Sequence, residues 1–301
     1  MKFDIIGFVN PEGPCCSSFP LDAPKSQPAD SHLKPILPLT NFGYSVARLA
    51  NGYHAVGSQD KAFVFSHKSM TAYSKYISFN SKSGNPPVQV FSWENQVAFV
   101  ANGAVELYRS SFRANGELKD LLIDQRFGIC KSPLVSCTPG STWADNIIGP
   151  AAINKEFVAI TGQQNATNVT VVGIFDKRHG PWKFLSTLQS TNKNSLFGHS
   201  LSLNSRLLAV SSTLNNKPVV IMYSLDKLEV LLTVKLSVFS NISLPLSIFV
   251  TEENVLLCTS RNSRTAVAIQ LNISEKSYKT LCTYTAAIGL VMSGSIDISS
   301  R

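Results

Sequence analysis

Three features of the sequence predict an all-β chain built as a β-propeller of about six four-stranded blades. A unit of roughly fifty residues recurs along the chain. Each copy carries two short apolar runs bounded by Asn, Gly and Ser turns, which is how strands buried between stacked sheets read. The composition, 44% hydrophobic and 15% charged over 301 residues, supports a large core and lacks the Glu, Lys and Arg that exposed helices need. Little helix is expected.

The unit is clearest in residues 197–225, FGHSLSLNSRLLAVSSTLNNKPVVIMYSL. Other copies begin at Phe42, Pro86, Ile148 and Leu244, so successive starts lie 44, 62, 49 and 47 residues apart. Residues 55–56, 97–99, 157–160, 207–210 and 255–258 mark the second strand of each unit; 62–65, 105–108, 171–175, 219–223 and 266–271 mark the third. Five copies leave both ends of the chain unassigned. Residues 2–9, 33–39 and 286–298 are strand-like and are expected to form a further blade, closing the ring with strands from both termini. Pro35 and Pro38 fit an outermost strand, where no ladder donor is needed. The whole chain, 1–301, reads as one domain with an irregular arm at 10–32 and, from the long 62-residue spacing, an inter-blade insertion at 125–147.

Phe197-Gly198-His199-Ser200-Leu201 followed by Leu208-Ala209-Val210, and Phe42-Gly43-Tyr44-Ser45-Val46 followed by Ala55-Val56-Gly57, resemble the FG-GAP repeats of integrin-α-like β-propellers. The resemblance covers most of residues 42–285, clearly in two units. It implies a propeller of WD40-like architecture. Members of that family often carry a calcium loop of the D-x-D-x-D-G type between the first two strands. Here those connections read RLANG, LNSR and TEEN and lack the D-x-D-x-D-G spacing of carboxylates that such a calcium loop requires, so no metal is expected.

No catalytic residue is assigned. The histidines, His32, His54, His67, His179 and His199, are dispersed, and P-loop, G-x-S-x-G and H-E-x-x-H motifs are missing. His199 lies between Gly198 and Ser200 and matches Tyr44 of another unit, which favours a structural role. The stretch from Asp176 to Trp182 lacks the spacing of a sialidase box; it reads as a hairpin turn leading to a Trp packed between blades. No cofactor is expected. Cys15, Cys16, Cys130, Cys137, Cys258 and Cys282 form no C-x-x-C pair; Cys258 and Cys282 sit in apolar strand-like runs, while geometry decides whether Cys130 and Cys137 close a loop.

The net charge of +8 and pI near 9.2 are compatible with an acidic partner surface. The cations are scattered rather than clustered, which supports neither nucleic-acid nor membrane binding. The interrupted N-terminal apolar run and the lack of a membrane-length stretch favour a cytoplasmic protein, with an extracellular or particle-surface location as the alternative. Sequons at Asn165, Asn168, Asn241 and Asn272 acquire meaning only in the second case.

A ring with no catalytic constellation reads as a non-enzymatic platform for another protein or a larger assembly. Function in such folds lives in loops held rigidly by the sheets. The loops joining second to third strands, together with the insertion, nominate Lys61, Arg126, Trp143, Asn215, Asn216, Lys217, Arg261 and Arg264 as partner-binding residues. Amides and cations suit an acidic or polar partner. The alternatives are a surface attachment protein recognising a glycan or receptor and, less supported, a sialidase-like hydrolase.

Overall fold

The computed structural model describes residues 45–66, 69–79, 88–101, 104–128, 146–164, 169–190, 196–239, 246–260 and 265–285. They form five antiparallel sheets, each a meander of four consecutive strands. Blade 1 comprises β1 (Ser45–Arg48), β2 (Tyr53–Gly57), β3 (Lys61–Ser66) and β4 (Ser69–Ser78). Blade 2 comprises β5 (Gln89–Trp93), β6 (Gln96–Ala101), β7 (Ala104–Phe112) and β8 (Leu118–Gly128). Blade 3 holds β9 (Asn146–Ile153), β10 (Phe157–Gln164), β11 (Val169–Asp176) and β12 (Lys183–Gln189). Blade 4 holds β13 (Leu201–Leu203), β14 (Leu207–Leu214), β15 (Lys217–Ser224) and β16 (Val230–Lys235). Blade 5 holds β17 (Leu246–Val250), β18 (Val255–Ser260), β19 (Thr265–Asn272) and β20 (Ser277–Thr285). Among the described residues the one helical element is a three-residue 3-10 turn at Ala50–Gly52.

The first strands of successive blades contact one another in the order β1, β5, β9, β13, β17, and no junction of that extent joins β17 back to β1 among the described residues. The expected closing strands at 2–9, 33–39 and 286–298 lie outside the described residues, as do the 10–32 arm, Cys130 and Cys137. β8 takes up residues 125–128 and β9 begins at Asn146, so the ladders claim both margins of the stretch read as an insertion.

The core lies between blades. One face of blade 1 (Ala47, Ala55, Val64) packs on Val90, Val97 and Phe99 of blade 2. The other face of blade 2 (Ala98, Val100, Leu107) packs on Ile153, Val158 and Trp182 of blade 3. Blade 3 meets blade 4 through Phe157, Ile174, Phe197 and Leu208, and blade 4 meets blade 5 through Leu207, Met222, Val234, Ile248 and Cys258. β14 explains the continuous apolar runs of the sequence. Leu207 and Ala209 face blade 5 while Leu208 and Val210 face blade 3, so both faces are buried. Each large side chain so buried stabilises the ring by about 1.5–3 kcal/mol relative to exposure.

Each outermost strand carries a β-bulge opposite the middle of the third strand. The ladders shift between Val64 and Phe65, Leu107 and Tyr108, Ile174 and Phe175, Met222 and Tyr223, and Ala268 and Ile269. A bulge at this point increases twist and spoils the flat edge that would pair with another chain.

The FG motif has a packing role. Phe197 is fully buried between blades 3 and 4, and Gly198 follows at φ +76°, a backbone region that suits glycine. A β-carbon on Gly198 would lie 3.0 Å from the Thr161 side chain, whose hydroxyl donates to the Gly198 carbonyl at 2.7 Å. The Ser of the motif ties first strands together. Ser45 Oγ donates to the Val90 carbonyl at 3.1 Å and accepts from its N–H at 3.0 Å; Ser200 Oγ accepts from Ile248 N–H at 3.1 Å.

A candidate partner-binding end of the propeller

The loops that join second to third strands share one end of the sheets with the chain crossings between blades. Val88 N–H donates to the Ser58 carbonyl and Phe79 N–H to the Asp60 carbonyl, both at 2.8 Å, which draws the crossing from blade 1 to blade 2 against the β2–β3 loop. In blade 4, Leu236 N–H reaches the Pro218 carbonyl at 3.1 Å and Leu196 N–H reaches Thr213 Oγ1 at 3.3 Å. Crossings and hairpin tips therefore build one surface.

Five of the eight nominated residues fall within the described chain. Lys61 opens β3, half-exposed, beside a turn in which Ser58 Oγ donates to its carbonyl at 3.0 Å. Asn215 and Asn216 form the two-residue β14–β15 turn with φ of 51° and 60°, the left-handed pair of a type I′ hairpin. That turn is exposed, as is Lys217 behind it. Arg126 is committed elsewhere: its Nε lies 3.0 Å from Glu106 Oε1, directly across the β7–β8 ladder. Tyr108 donates to the other Glu106 oxygen at 2.6 Å, and burial, reinforced by that bond and by the Glu106 charge, pushes the phenol pKa well up. Trp143, Arg261 and Arg264 lie outside the described residues, as do the sequon residues Asn165, Asn168 and Asn241.

Sequence reasoning missed three neighbours of the Asn-Asn turn. Leu214 is 46% exposed and pairs across the ladder with Lys217; Val238 is 40% exposed in the turn that follows β16. Exposed Lys235 closes β16 opposite Val219, and its N–H donates to Tyr278 Oη of blade 5 at 3.2 Å. An apolar residue set directly before Asn-Asn was the available signal for Leu214.

Charge is distributed unevenly. In the described loops of this end Asp60 is the one acidic side chain. At the other end acids are plentiful and engaged in joining blades. Arg178 bonds Asp176 of its own hairpin and, at 3.0 Å, Asp226 of blade 4, while its guanidinium lies 4.6 Å from the Phe157 ring centre. Burial alone would raise the Asp176 pKa; the bonds from Arg178 outweigh it and hold the carboxyl below its ordinary value. Glu252 accepts from the N–H and hydroxyl of Ser205. Lys75 pairs with Asp120 between blades 1 and 2, and Lys177 lies 3.9 Å from Asp124 between blades 3 and 2.

The stretch from Asp176 to Trp182 is a hairpin turn, and Trp182 is buried between blades 2 and 3. His199 lies exposed on the FG turn, with partial desolvation lowering its pKa. Among the described residues, no group of three or more His, Cys, Asp or Glu is placed to hold a metal ion, and no helix is long and apolar enough to cross a membrane.

Five consecutive four-stranded meanders, stacked face to face through their first strands, make this chain a β-propeller. No family model and no curated protein matches it. Among solved structures, a protein from Lactobacillus plantarum is similar at 10% identity and a TM-score of 0.51, over 78% of this chain and 69% of that one. The WD40 domain of SCAP from fission yeast is similar at 14% identity and a TM-score of 0.48, over 84% of this chain. The present chain spans 62% of the length of that relative. A chain of the mitotic checkpoint complex is similar at 14% identity and a TM-score of 0.45, over 90% of this chain and 88% of that one. The likeness to the Lactobacillus plantarum protein is one of fold alone.

Proposed function

We infer that the protein is a non-enzymatic β-propeller platform that binds another protein, alone or within a larger assembly, through the end that carries the β2–β3 and β14–β15 loops. The supporting observation is the β14–β15 tip: a rigid type I′ turn that presents Asn215, Asn216, Lys217 and an exposed Leu214 on a two-sided, buried hairpin. Rigid placement lowers the ordering cost of association, and amides beside a cation and an aliphatic side chain offer hydrogen bonds, charge and apolar contact together. Partners of the similar propellers, as in the mitotic checkpoint complex, belong to those proteins.

An FG-GAP relationship rests on the two units in which the motif is clear, and the single-domain reading with its arm and insertion belongs to the same proposal. The residues to test are Lys61, Trp143, Asn215, Asn216, Lys217, Arg261 and Arg264, with Arg126 demoted by its ion pair with Glu106. Lysine-directed cross-linking of the native protein, read by mass spectrometry, is the direct experiment. A stoichiometric protein partner joined at Lys61 or Lys217 is expected; a native protein with no protein partner overturns the platform.

A surface attachment role has one specific observation in its favour. The Asn272-Ile273-Ser274 sequon occupies the β19–β20 turn, where the exposed Ser274 hydroxyl donates to Asn272 Oδ1 at 2.8 Å. A glycan on Asn272 of native material would support that reading, and an unmodified Asn272 would count against it.

A further inference from the structure

We propose that the loop end of blade 4 is a receptor for an acidic, aliphatic-containing protein segment, centred on Leu214, Lys217, Lys235 and Val238. The proposal rests on the platform reading and names the chemistry of its partner.

The register places these groups together. Leu214 pairs directly with Lys217 across β14 and β15, and Lys235 pairs with Val219, two residues beyond Lys217 on the same face of β15. The two lysines are thus diagonal neighbours, with backbone positions about 7–8 Å apart. The Leu236 N–H to Pro218 carbonyl bond holds the turn containing Val238 against this corner. Tyr278, 37% exposed, borders it through its bond to Lys235 N–H.

Charge selects the partner. Neither Lys217 nor Lys235 makes an ion pair with any described residue, whereas Asp226 and Asp120 are paired between blades, and Asp176 within its own hairpin, away from this corner. Two unpaired cations beside three exposed apolar groups would attract carboxylates and bury aliphatic or aromatic contacts next to them, the mix of anchor and rim found in protein interfaces. Nucleic acid is a poorer match. Its phosphates call for a stripe of cations, and the corner has two, flanked by aliphatic side chains that would desolvate phosphate without compensation.

The test uses the full chain and a fluorescent peptide of Glu interspersed with Leu, measured by anisotropy beside a Lys-for-Glu peptide and an oligodeoxythymidylate. The acidic peptide should bind, more weakly as salt rises, with an affinity loss of about tenfold or more in K217E/K235E and a clear loss in L214S. K155E, at the other end, should bind as the parent does, and circular dichroism should show all variants folded. Failure of the acidic peptide to bind overturns the proposal, as does an equal loss in K155E or tighter binding of the oligonucleotide. A native partner cross-linked only at Lys61 would leave the platform standing while removing this corner from it.

Discussion

The carboxamide nitrogen of Asn154 donates to the carbonyl of Asn204 at 2.7 Å, bridging the first turns of blades 3 and 4. Asn204 repeats the arrangement one blade on, donating to the Thr251 carbonyl at 2.8 Å. In both residues Oδ1 accepts two N–H groups of its own turn, from Glu156 and Phe157 or from Arg206 and Leu207. One side chain thus shapes a turn and fixes its neighbour. Thr251 keeps only the local half, with Oγ1 accepting from Val255 N–H at 3.1 Å.

Replacing Asn204 with Ala leaves two N–H groups and the Thr251 carbonyl without these partners at a site 2% exposed. A loss of about 1–3 kcal/mol is expected from unsatisfied buried groups. Urea denaturation would show it as a lower midpoint; an unchanged midpoint would mean that water replaces the side chain at no cost.

Gly198→Ala places a β-carbon against Thr161 at a left-handed backbone position. Strain and overpacking together should destabilise the chain by about 2–4 kcal/mol. Gly57→Ala should also be costly, since its β-carbon would collide with the Val88 carbonyl at the crossing from blade 1 to blade 2. Thermal unfolding of both variants beside Gly116→Ala, where the space is open, separates crowding from backbone strain.

Acid should weaken the Asp176–Arg178 pair, which holds the guanidinium that reaches Asp226 of blade 4. The folded Asp176 pKa is depressed, so its contribution is present above the unfolded carboxylate pKa, about 3.9, and is lost as pH falls through the lower folded value. Asp176→Asn removes the ionisation and should flatten the acid limb of the stability curve. A variant that follows the parent at every pH would assign acid sensitivity to other carboxylates.

Alkali should act through a different group. Burial between blades 3 and 4 pushes the Tyr223 phenol up to about 12. Its contribution is complete below the unfolded pKa of about 10 and is lost as pH rises from there through the folded value. Tyr223→Phe should hold its stability over that interval while the parent declines, as denaturant titrations at successive pH values would reveal.

The two described cysteines should differ in reactivity. Cys258 is fully buried between blades 4 and 5, and desolvation pushes its thiol pKa far up; Cys282 lies half-buried on outermost strand β20. Iodoacetamide should label Cys282 of the native protein first and reach Cys258 only on unfolding. Peptide mass spectrometry would read the order directly, and early labelling of Cys258 would mean that the junction of blades 4 and 5 opens.

Much of the fold is legible because it depends on apolar periodicity. Runs such as Leu208-Ala209-Val210 and Val219-Val220 mark β14 and β15, since strands covered on both sides cannot alternate with polar residues. The β14–β15 turn was equally readable, because adjacent left-handed residues favour Asn. The bulges were not. Asp124, Leu185, Leu231 and Leu281 each fill the extra position, and neither their chemistry nor their neighbours distinguish them from ordinary strand residues. In the connection LNSR, the missing carboxylates were visible, while the reach of Asn204 into the next blade was not.

By itself the sequence determined the repeat, the strands and the hairpin tips, all of which follow from local pattern and turn chemistry. Tertiary structure decided which polar side chains near the loops are already engaged by other parts of the chain. Arg126 and Lys217 are both cations near loops, yet one faces Glu106 across a ladder and the other has no ion-pair partner among the described residues. That difference depends on register and blade stacking, which bring together groups far apart in the chain.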